Sequence, residues 1–400
     1  MKPIFFSTFI LFFIMISSCT NSSPHNKEIN IQFAWEVAGH LPDNSDGSPS
    51  VGLAGPVTGI SNNVLLIGGG SNFSGGLPWE GGKKQFYKDI FVYKKQNDSL
   101  ILIKRNLALP YKVAYSANCI SDKGVVVAGG ENERGAINKV LLLNWNEAAQ
   151  NVEIQHLPNL PQNLSAGAIA ADGNEIYFVG GQNAKGVSNQ LFSLDLEDTS
   201  KGWQSLPSLK TAVAYAVLYV QSNGKNKCLY LVGGRKMNID STSDLYDDVY
   251  EFDLQTKQWS QKASLPYALS AHTGLAFGDS TLLVFSGDRG ETFHETEALL
   301  MQINKENDVT EKRHLLLEKN KLQENHPGFS REVLAYNTLR DRWEVIDSIP
   351  FVGQVTTTAM LWNNEVIIPC GEIRAGIRSA NIILGKVKLE ELVKAKKSKN

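Results

Sequence analysis

The chain repeats one short pattern, an apolar run that ends in a pair of small residues, usually two glycines. Six copies occupy residues 64–69, 125–130, 176–181, 229–234, 283–288 and 366–371. The pairs begin at residues 68, 129, 180, 233, 286 and 370, so the intervals are 61, 51, 53, 53 and 84 residues. A fixed period near 50 residues with one buried strand in each repeat predicts a radial array of small antiparallel sheets.

A second marker indicates how this array closes. A tryptophan followed by a proline lies downstream of three of the pairs, at Trp203, Trp259 and Trp343. Trp35 has the seven-residue spacing to proline of Trp259 and Trp343 but no repeat before it. The last repeat, around Gly371, has no such tryptophan after it. We therefore expect an N-terminal strand near residues 31–38 to complete the last sheet, which removes an open edge. The sequence predicts an all-β, six-bladed kelch-type β-propeller over residues 31–390, with indole rings between neighbouring blades.

The long fifth interval predicts an insertion. Residues 301–326 are rich in Leu, Lys, Glu and Asn, and Leu315, Leu316, Leu317 and Leu322 are spaced as on one helical face. We expect a helical insertion in the fifth repeat, either a lid over the propeller or an outer decoration.

The two ends of the chain differ from the repeats. Residues 1–18 combine Lys2 with an apolar run too short to span a bilayer, which predicts a signal peptide. Small residues directly before Cys19 resemble a bacterial lipobox. This predicts a lipid anchor at Cys19, a tether over 19–30 and a periplasmic location at the outer membrane. An ordinary cleaved signal is the alternative. Residues 391–400 form a basic tail, and the net charge of −2 gives no general attraction to nucleic acid.

The loops that follow the six small-residue pairs must emerge on one face of a propeller and meet around one mouth of its channel. The polar candidates for ligand binding in these loops are Asn72, Glu131, Arg134, Arg235, Arg289, Glu372 and Arg378. Clustered guanidinium groups favour a carboxylate or phosphate ligand, and amides and carboxylates beside them suit sugar hydroxyls. The alternative is a set of solvated charges that pair with one another. His272 either faces the channel or is a hydrogen-bonded core histidine.

Other chemical signatures are weak. The remaining cysteines, Cys119, Cys228 and Cys370, are odd in number and widely spaced, so we expect buried free thiols. The histidines show no metal-like pair, and no hydrolase or nucleotide-binding motif is present. The sequence therefore predicts no metal and no organic cofactor.

The sixth loop carries a family resemblance. Residues 371–379, Gly-Glu-Ile-Arg-Ala-Gly-Ile-Arg-Ser, resemble the active-site loop of the N-acetylneuraminate epimerases, which are six-bladed kelch propellers. Residues 59–63, Lys83-Lys84 and Tyr87 to Ile90 resemble a second stretch of that family. In the better-known members the order of the two stretches is reversed, which indicates a circular permutation.

The resemblance implies a mutarotase that interconverts the α and β anomers of N-acetylneuraminate by opening and closing the sugar ring. It implies that Glu372 is the proton acceptor, and we expect Arg378 to hold the substrate carboxylate. Arg134, Arg235 and Arg289 are secondary candidates. Two alternatives remain: a non-catalytic kelch propeller that binds a glycan or protein partner, and an epimerase for a different keto-sugar acid.

Overall fold

Each repeat forms one antiparallel sheet, and the computed structural model describes residues 29–391. From the innermost strand outward, blade 1 contains Ala54–Ser61, Val64–Asn72, Asp89–Gln96 and Ser99–Ala108. Blade 2 contains Ala117–Ser121, Gly124–Ala128, Val140–Asn146 and Asn151–Leu157. Blade 3 contains Ala168–Asp172, Glu175–Val179, Leu191–Asp195 and Gln204–Leu206. The second strand of each blade carries the apolar run, and it is buried because sheets cover both of its faces.

The other three blades follow the same order. Blade 4 contains Val217–Ser222, Lys227–Val232, Val249–Asp253 and Gln258–Gln261. Blade 5 contains Thr273–Phe277, Thr281–Phe285, Glu332–Asn337 and Arg342–Ser348. Blade 6 contains Met360–Trp362, Glu365–Pro369, Asn381–Glu391 and Ile29–His40. The six-bladed β-propeller expected from the repeat is thus confirmed.

Short hairpins follow the small-residue pair in four blades. They pair Glu131–Asn132 with Gly135–Ala136, Gln182–Asn183 with Gly186–Val187, Arg235–Lys236 with Asp244–Leu245, and Glu372–Arg374 with Ile377–Arg378. In blade 1 the strand Gln85–Phe86 pairs with the end of the second strand, and a short 3-10 helix covers Pro78–Glu80. A second 3-10 helix, Thr199–Lys201, lies in blade 3.

The N-terminal strand closes the ring as expected. Ile29–His40 runs antiparallel to Asn381–Glu391 as the outermost strand of blade 6. Phe33 and Trp35 pack edge-on against Phe285 of blade 5, with ring centroids 6.0 and 5.9 Å away. The Asp347 carboxylate of blade 5 accepts hydrogen bonds from the Phe33 backbone and the Trp35 indole. The first strand therefore joins the last blade to its neighbour.

The tryptophans predicted to lie between blades do so. The indole N–H groups of Trp203, Trp259 and Trp343 donate to the carbonyl oxygens of Pro158, Pro207 and Ala263 at 2.9, 2.8 and 2.9 Å. Each acceptor lies between the tryptophan's own blade and the blade before it, so the ring fills the gap and its polar N–H is satisfied.

The small-residue pair is required by the backbone. In blade 1 the turn lies one residue later than the predicted pair, at Gly69-Gly70. The first residue of the turn is left-handed in every blade, with φ between 58° and 70°, including Ser286 and Cys370 of the degenerate copies. The second residue is glycine in all six blades, with φ between 81° and 121°. The degenerate copies therefore keep the same turn, and the residues that replace the first glycine adopt a conformation that costs about 1–2 kcal/mol.

A closed ring of backbone hydrogen bonds joins the blades around the channel. One residue at the entrance to each innermost strand donates its N–H to the carbonyl of the matching residue in the preceding blade, over 2.7–2.9 Å. We call this ring the collar; its members are Gly55, Tyr115, Ala166, Tyr215, Ala271 and Thr356. All six are left-handed, with φ between 52° and 59°.

The insertion differs from the prediction in extent. It consists of two helices, α1 (Glu291–Lys305) and α2 (Val309–Glu324), so it begins ten residues before the expected start at residue 301. Leu315 and Leu322 pack between the helices, but Leu316 and Leu317 are exposed, because adjacent residues are 100° apart around a helix. Neither helix is long and apolar enough to cross a membrane.

The terminal predictions fall mainly outside the described residues. The signal peptide, Cys19 and the tether up to residue 28 lie there, as do residues 392–400 of the basic tail. The three cysteines within residues 29–391 are free; Cys228 and Cys370 are buried and Cys119 is half-buried.

The left-handed turn gives a stability prediction. Gly180 has φ 70°, and a Cβ there would lie 2.2 Å from the Val213 carbonyl oxygen. We expect Gly180→Ala to lower the free energy of unfolding by about 2–4 kcal/mol, through left-handed strain and backbone overlap. Gly75→Ala, at a site open on all sides, is the control and is expected to change it by less than about 0.5 kcal/mol. Denaturant unfolding measures both, and equal effects would contradict the turn's role.

Candidate functional site

The central channel offers volume but little chemistry. It encloses about 500 Å³ and is lined by the innermost strands of all six blades, mainly by Gly, Ala, Ser, Thr and aliphatic side chains. No Asp, Glu, Lys or Arg lines it among the residues that the structure describes. The charged groups instead lie on the loops after the small-residue pairs, so the candidate site is this mouth of the channel.

Glu372 and Arg378 face each other across the two strands of the blade 6 hairpin. Arg378 Nη1 lies 3.3 Å from Glu372 Oε1, and the same oxygen accepts a hydrogen bond of 3.1 Å from the Gly376 backbone. The side chains are 4% and 18% exposed for Arg378 and Glu372. The carboxylate is therefore held in a fixed position but still reaches the mouth.

Arg378 has unused hydrogen-bonding capacity. Its guanidinium group stacks on Phe73 of blade 1, with 4.7 Å from Cζ to the ring centroid. The ion pair does not have hydrogen-bond geometry, and Nε and Nη1 are buried without an acceptor in the described part of the chain. Buried donors without partners cost free energy, and an oxygen of a ligand carboxylate could accept from either N–H group.

The tip of this hairpin is fixed by blade 1. A Cβ at Gly376 would lie 3.1 Å from Pro78 Cδ and 3.3 Å from the Trp79 ring, so the 3-10 helix packs directly on the hairpin. Close backbone approach requires glycine at this position. The hairpin that carries Glu372 is thereby held between blades 6 and 1.

Two further cations lie over aromatic rings at the mouth. The Arg235 guanidinium lies between the rings of Tyr215 and Phe293, at 4.1 and 4.4 Å from their centroids. Phe293 belongs to α1, so the insertion contributes a side chain to the mouth. Lys84 lies 5.0 Å from the Tyr115 ring centroid and pairs with Glu131 at 3.3 Å.

Tyr115 and Tyr215 lie near these charges. The two collar tyrosines contact each other edge to face, with centroids 6.4 Å apart. Burial raises the pKa of the Tyr215 hydroxyl, Arg235 lowers it, and Glu131 and Glu372 raise it further. Arg235 and Glu372 form single backbone bridges with Ala214 and Val355, the residues just before the collar residues Tyr215 and Thr356. Both charged residues therefore join the mouth beside the collar.

Some predicted ligand residues lie elsewhere or are already engaged. Arg134 is exposed at the tip of the blade 2 hairpin, and the structure brings no group of the mouth into contact with its side chain. Arg289 pairs with Glu332 at 2.6 Å and stacks on Tyr267 between blades 4 and 5. Asn72 donates to the Gly52 carbonyl and accepts from the Tyr87 hydroxyl, so its amide supports the blade 1 loop.

Five residues of the mouth were not among the ligand candidates predicted from the sequence: Phe73, Lys84, Tyr115, Tyr215 and Phe293. A signal for the tyrosines was present: Val-Ala-Tyr occurs at residues 113–115 and again at 213–215. This pattern repeats at the same place in two blades, just before the innermost strand.

His272 lies in the channel wall rather than among the charges. It is 4% exposed, beside Gly233 and Gly287, and its ring nitrogens lack hydrogen-bond partners among residues 29–391. Burial lowers the pKa of His272 to about 4, so its imidazole is neutral at pH 7. A neutral, buried ring differs from the hydrogen-bonded core histidine considered in the sequence analysis.

This pKa shift gives a pH prediction. The unfolded chain takes up a proton at His272 below pH 6.5, whereas the folded chain does so only near pH 4, so stability falls as pH decreases through this window. We expect the His272→Gln variant to lose about 2 kcal/mol less than wild type between pH 7 and pH 5. His156→Gln, at an exposed position, is the control and is expected to follow wild type. Denaturant unfolding at both pH values measures this, and parallel losses in all three proteins would refute the assignment.

Known proteins resemble the chain in both sequence and fold. The family model for N-acetylneuraminate epimerase (NANM) matches residues 157–399, which is more than half of the chain and includes the Glu372–Arg378 hairpin. The N-acetylneuraminate epimerases of Salmonella typhi and Vibrio vulnificus are each 24% identical, over 225 and 233 residues. These alignments cover 56% and 57% of this chain, and 56% and 58% of the relatives.

The chain thus spans about half the length of the curated relatives it matches. The solved structure of YjhT superposes with a TM-score of 0.60 at 15% identity, covering 88% of this chain and 99% of that one. This second likeness concerns the fold alone. The family match extends over blades 3 to 6 and their mouth loops, and the chain belongs to the N-acetylneuraminate epimerase family.

Proposed function

We propose that this protein is a mutarotase that interconverts the α and β anomers of N-acetylneuraminate at the mouth of the propeller. The observation that carries the proposal is the Glu372–Arg378 pair, in which a positioned carboxylate lies beside a buried guanidinium with two unused N–H donors. The names of the matching relatives support the choice of sugar.

The reaction requires a group that takes and returns a proton. The anomeric hydroxyl loses its proton, the ring opens to a ketone, and reclosure from the other face gives the other anomer. Glu372 is the proposed acceptor of the hydroxyl proton, because its carboxylate is held by Gly376 and still reaches the mouth. Arg378 is the proposed donor to the sugar carboxylate, through Nε or Nη1.

The neighbouring groups suit the rest of such a sugar. Arg235 and Lys84 add positive charge at the mouth, and Glu131 offers an acceptor for hydroxyl groups. Stacking on aromatic rings limits the motion of these cations. A rigid anionic sugar would therefore meet groups that are already in place, which reduces the entropy lost on binding.

The proposed role of Glu372 gives a kinetic prediction. Starting from the α anomer, we expect wild type to accelerate anomer exchange, measured by NMR, and Glu372→Gln to lose about 10²–10⁴-fold of that acceleration, because an amide cannot accept the proton. Glu133→Gln, at an exposed hairpin tip where the carboxylate pairs with Lys112, is the matched control and is expected to act as wild type.

The outcomes separate the alternatives. A wild-type protein that binds N-acetylneuraminate without accelerating exchange would support a non-catalytic binding propeller. Acceleration with another keto-sugar acid, but not with N-acetylneuraminate, would keep the chemistry and replace the substrate. Full activity in Glu372→Gln would refute the proposed proton acceptor.

We also propose that the half-length match reflects a circular permutation. An alignment that follows chain order can match only one of two exchanged segments, and the blade 1 stretch at residues 59–90 resembles family positions that lie after the Glu372 loop in other members. A closed ring of blades tolerates such a change, because its termini can fall between any two strands.

We further propose that the protein is anchored at Cys19 in the periplasm at the outer membrane, on the basis of the signal-like residues 1–18. We expect Cys19→Ala to abolish metabolic labelling with a radioactive fatty acid and to move the protein from the membrane fraction to the soluble periplasmic fraction. Cys119→Ala is the control and is expected to remain labelled. Unchanged labelling of Cys19→Ala would exclude this anchor.

A further inference from the structure

Two of the six collar positions carry tyrosine. Gly55, Ala166, Ala271 and Thr356 occupy the other four, so side chains larger than threonine occur only at Tyr115 and Tyr215. Both tyrosines have left-handed φ values, 54° and 56°, which cost a residue with a Cβ about 1–2 kcal/mol. Strained residues of this kind concentrate at functional sites, and these two project aromatic rings over the channel entrance.

The two hydroxyl groups differ in their surroundings. The Tyr115 hydroxyl lies 3.5 Å from the Ser71 hydroxyl, within the blade 1 loop. The Tyr215 hydroxyl donates no hydrogen bond to any other residue that the structure describes, although its ring is covered by Arg235 at 4.1 Å. It therefore remains available to a ligand in the mouth.

The charges around Tyr215 come from three blades. Arg235 approaches from blade 4, Glu131 from blade 2 and Glu372 from blade 6, and Phe293 of α1 closes the far side of Arg235. Burial favours the neutral hydroxyl, whereas the guanidinium over the ring stabilises the phenolate. Tyr215 thus holds its proton at rest and has a cation in place for the moment when it gives that proton away.

The proposed reaction leaves one proton transfer without a group. Glu372 can take the proton of the anomeric hydroxyl, but the ring oxygen must gain a proton when its bond to the anomeric carbon breaks. A single carboxylate cannot accept one proton and donate another at the same time, because it becomes protonated only through the first transfer. A second donor on the same side of the mouth allows both transfers to occur together.

We propose that Tyr215 is this second group, giving a proton to the ring oxygen as the sugar opens and recovering it as the sugar closes; the inference rests on the proposed mutarotase function. The carboxylate of Glu372 and the hydroxyl of Tyr215 then act as a base and acid pair, and Arg235 stabilises the phenolate that forms.

The step balances without a co-reactant. The anomeric O–H gives its proton to Glu372, the carbonyl double bond forms, and the electron pair of the broken C–O bond passes to the ring oxygen. That oxygen takes the proton of Tyr215. After the carbonyl group turns, the open-chain hydroxyl attacks its other face and returns its proton to Tyr215, while the new anomeric oxygen takes the proton from Glu372.

The test uses the full chain and three proteins: wild type, Tyr215→Phe and, as the control, Tyr111→Phe, at a half-buried tyrosine that packs against the core of blades 1 and 2. Phenylalanine keeps the ring that stacks with Arg235 and removes only the hydroxyl group. NMR anomer exchange gives the rate, calorimetric titration with N-acetylneuraminate gives the Kd, and thermal unfolding shows whether the collar is intact. We expect Tyr215→Phe to lose about 100-fold of the acceleration with a Kd within about threefold of wild type, and Tyr111→Phe to stay within about threefold in both.

Several results would overturn the assignment. Tyr215→Phe could retain its rate within about threefold, the two variants could lose activity equally, or the rate could fall only in proportion to the weaker Kd. If Tyr215→Phe did not fold, 3-fluorotyrosine at position 215 would keep the shape and make the hydroxyl more acidic; an unchanged rate would then refute the role. A wild type without acceleration overturns the proposed function as well, whereas activity that needs Glu372 but not Tyr215 overturns this inference alone.

Discussion

The architecture depends on the collar, the ring of six backbone hydrogen bonds around the channel entrance. Each bond contributes about 0.5–1.5 kcal/mol, and each left-handed residue with a Cβ costs about 1–2 kcal/mol. The two effects nearly cancel, so the collar adds little net stability. The collar instead fixes geometry, because in every blade the chain enters the innermost strand at the equivalent position and in the same direction. The mouth loops therefore meet in a defined arrangement.

The site follows from that arrangement. Glu372 and Arg378 come from blade 6, Phe73 and Lys84 from blade 1, Glu131 from blade 2 and Arg235 from blade 4. Groups from these four blades meet at one mouth because the blades are arranged in a closed ring. The cations stack on aromatic rings and the carboxylates have hydrogen-bond or ion-pair partners, so the mouth is organised before any ligand arrives. Preorganised charge is the feature that most often accounts for catalysis by polar sites.

The repeat and the closure by the first strand could be predicted from the sequence, because each depends on local chemistry. The Glu372 loop was singled out by its resemblance to a family. Glycine pairs mark left-handed turns, and Trp35 without a preceding repeat identifies the missing strand of blade 6. The aromatic partners could not be predicted in the same way. Phe293 reaches the mouth only because α1 begins at Glu291, ten residues before the amphipathic pattern that indicated a helix. Arg289 was predicted as a ligand residue because the sequence does not show that it pairs with Glu332 and stacks on Tyr267.

The proposed reaction requires that a sugar acid binds with its carboxylate on Arg378 and its anomeric centre beside Glu372. A crystal structure of the Glu372→Gln protein with N-acetylneuraminate tests it most directly. We expect a carboxylate oxygen within about 3 Å of Arg378 Nε or Nη1, and the anomeric oxygen within about 3 Å of the residue 372 side chain. A sugar bound away from the blade 6 hairpin, or with its carboxylate on another cation and its anomeric centre turned from residue 372, would contradict it.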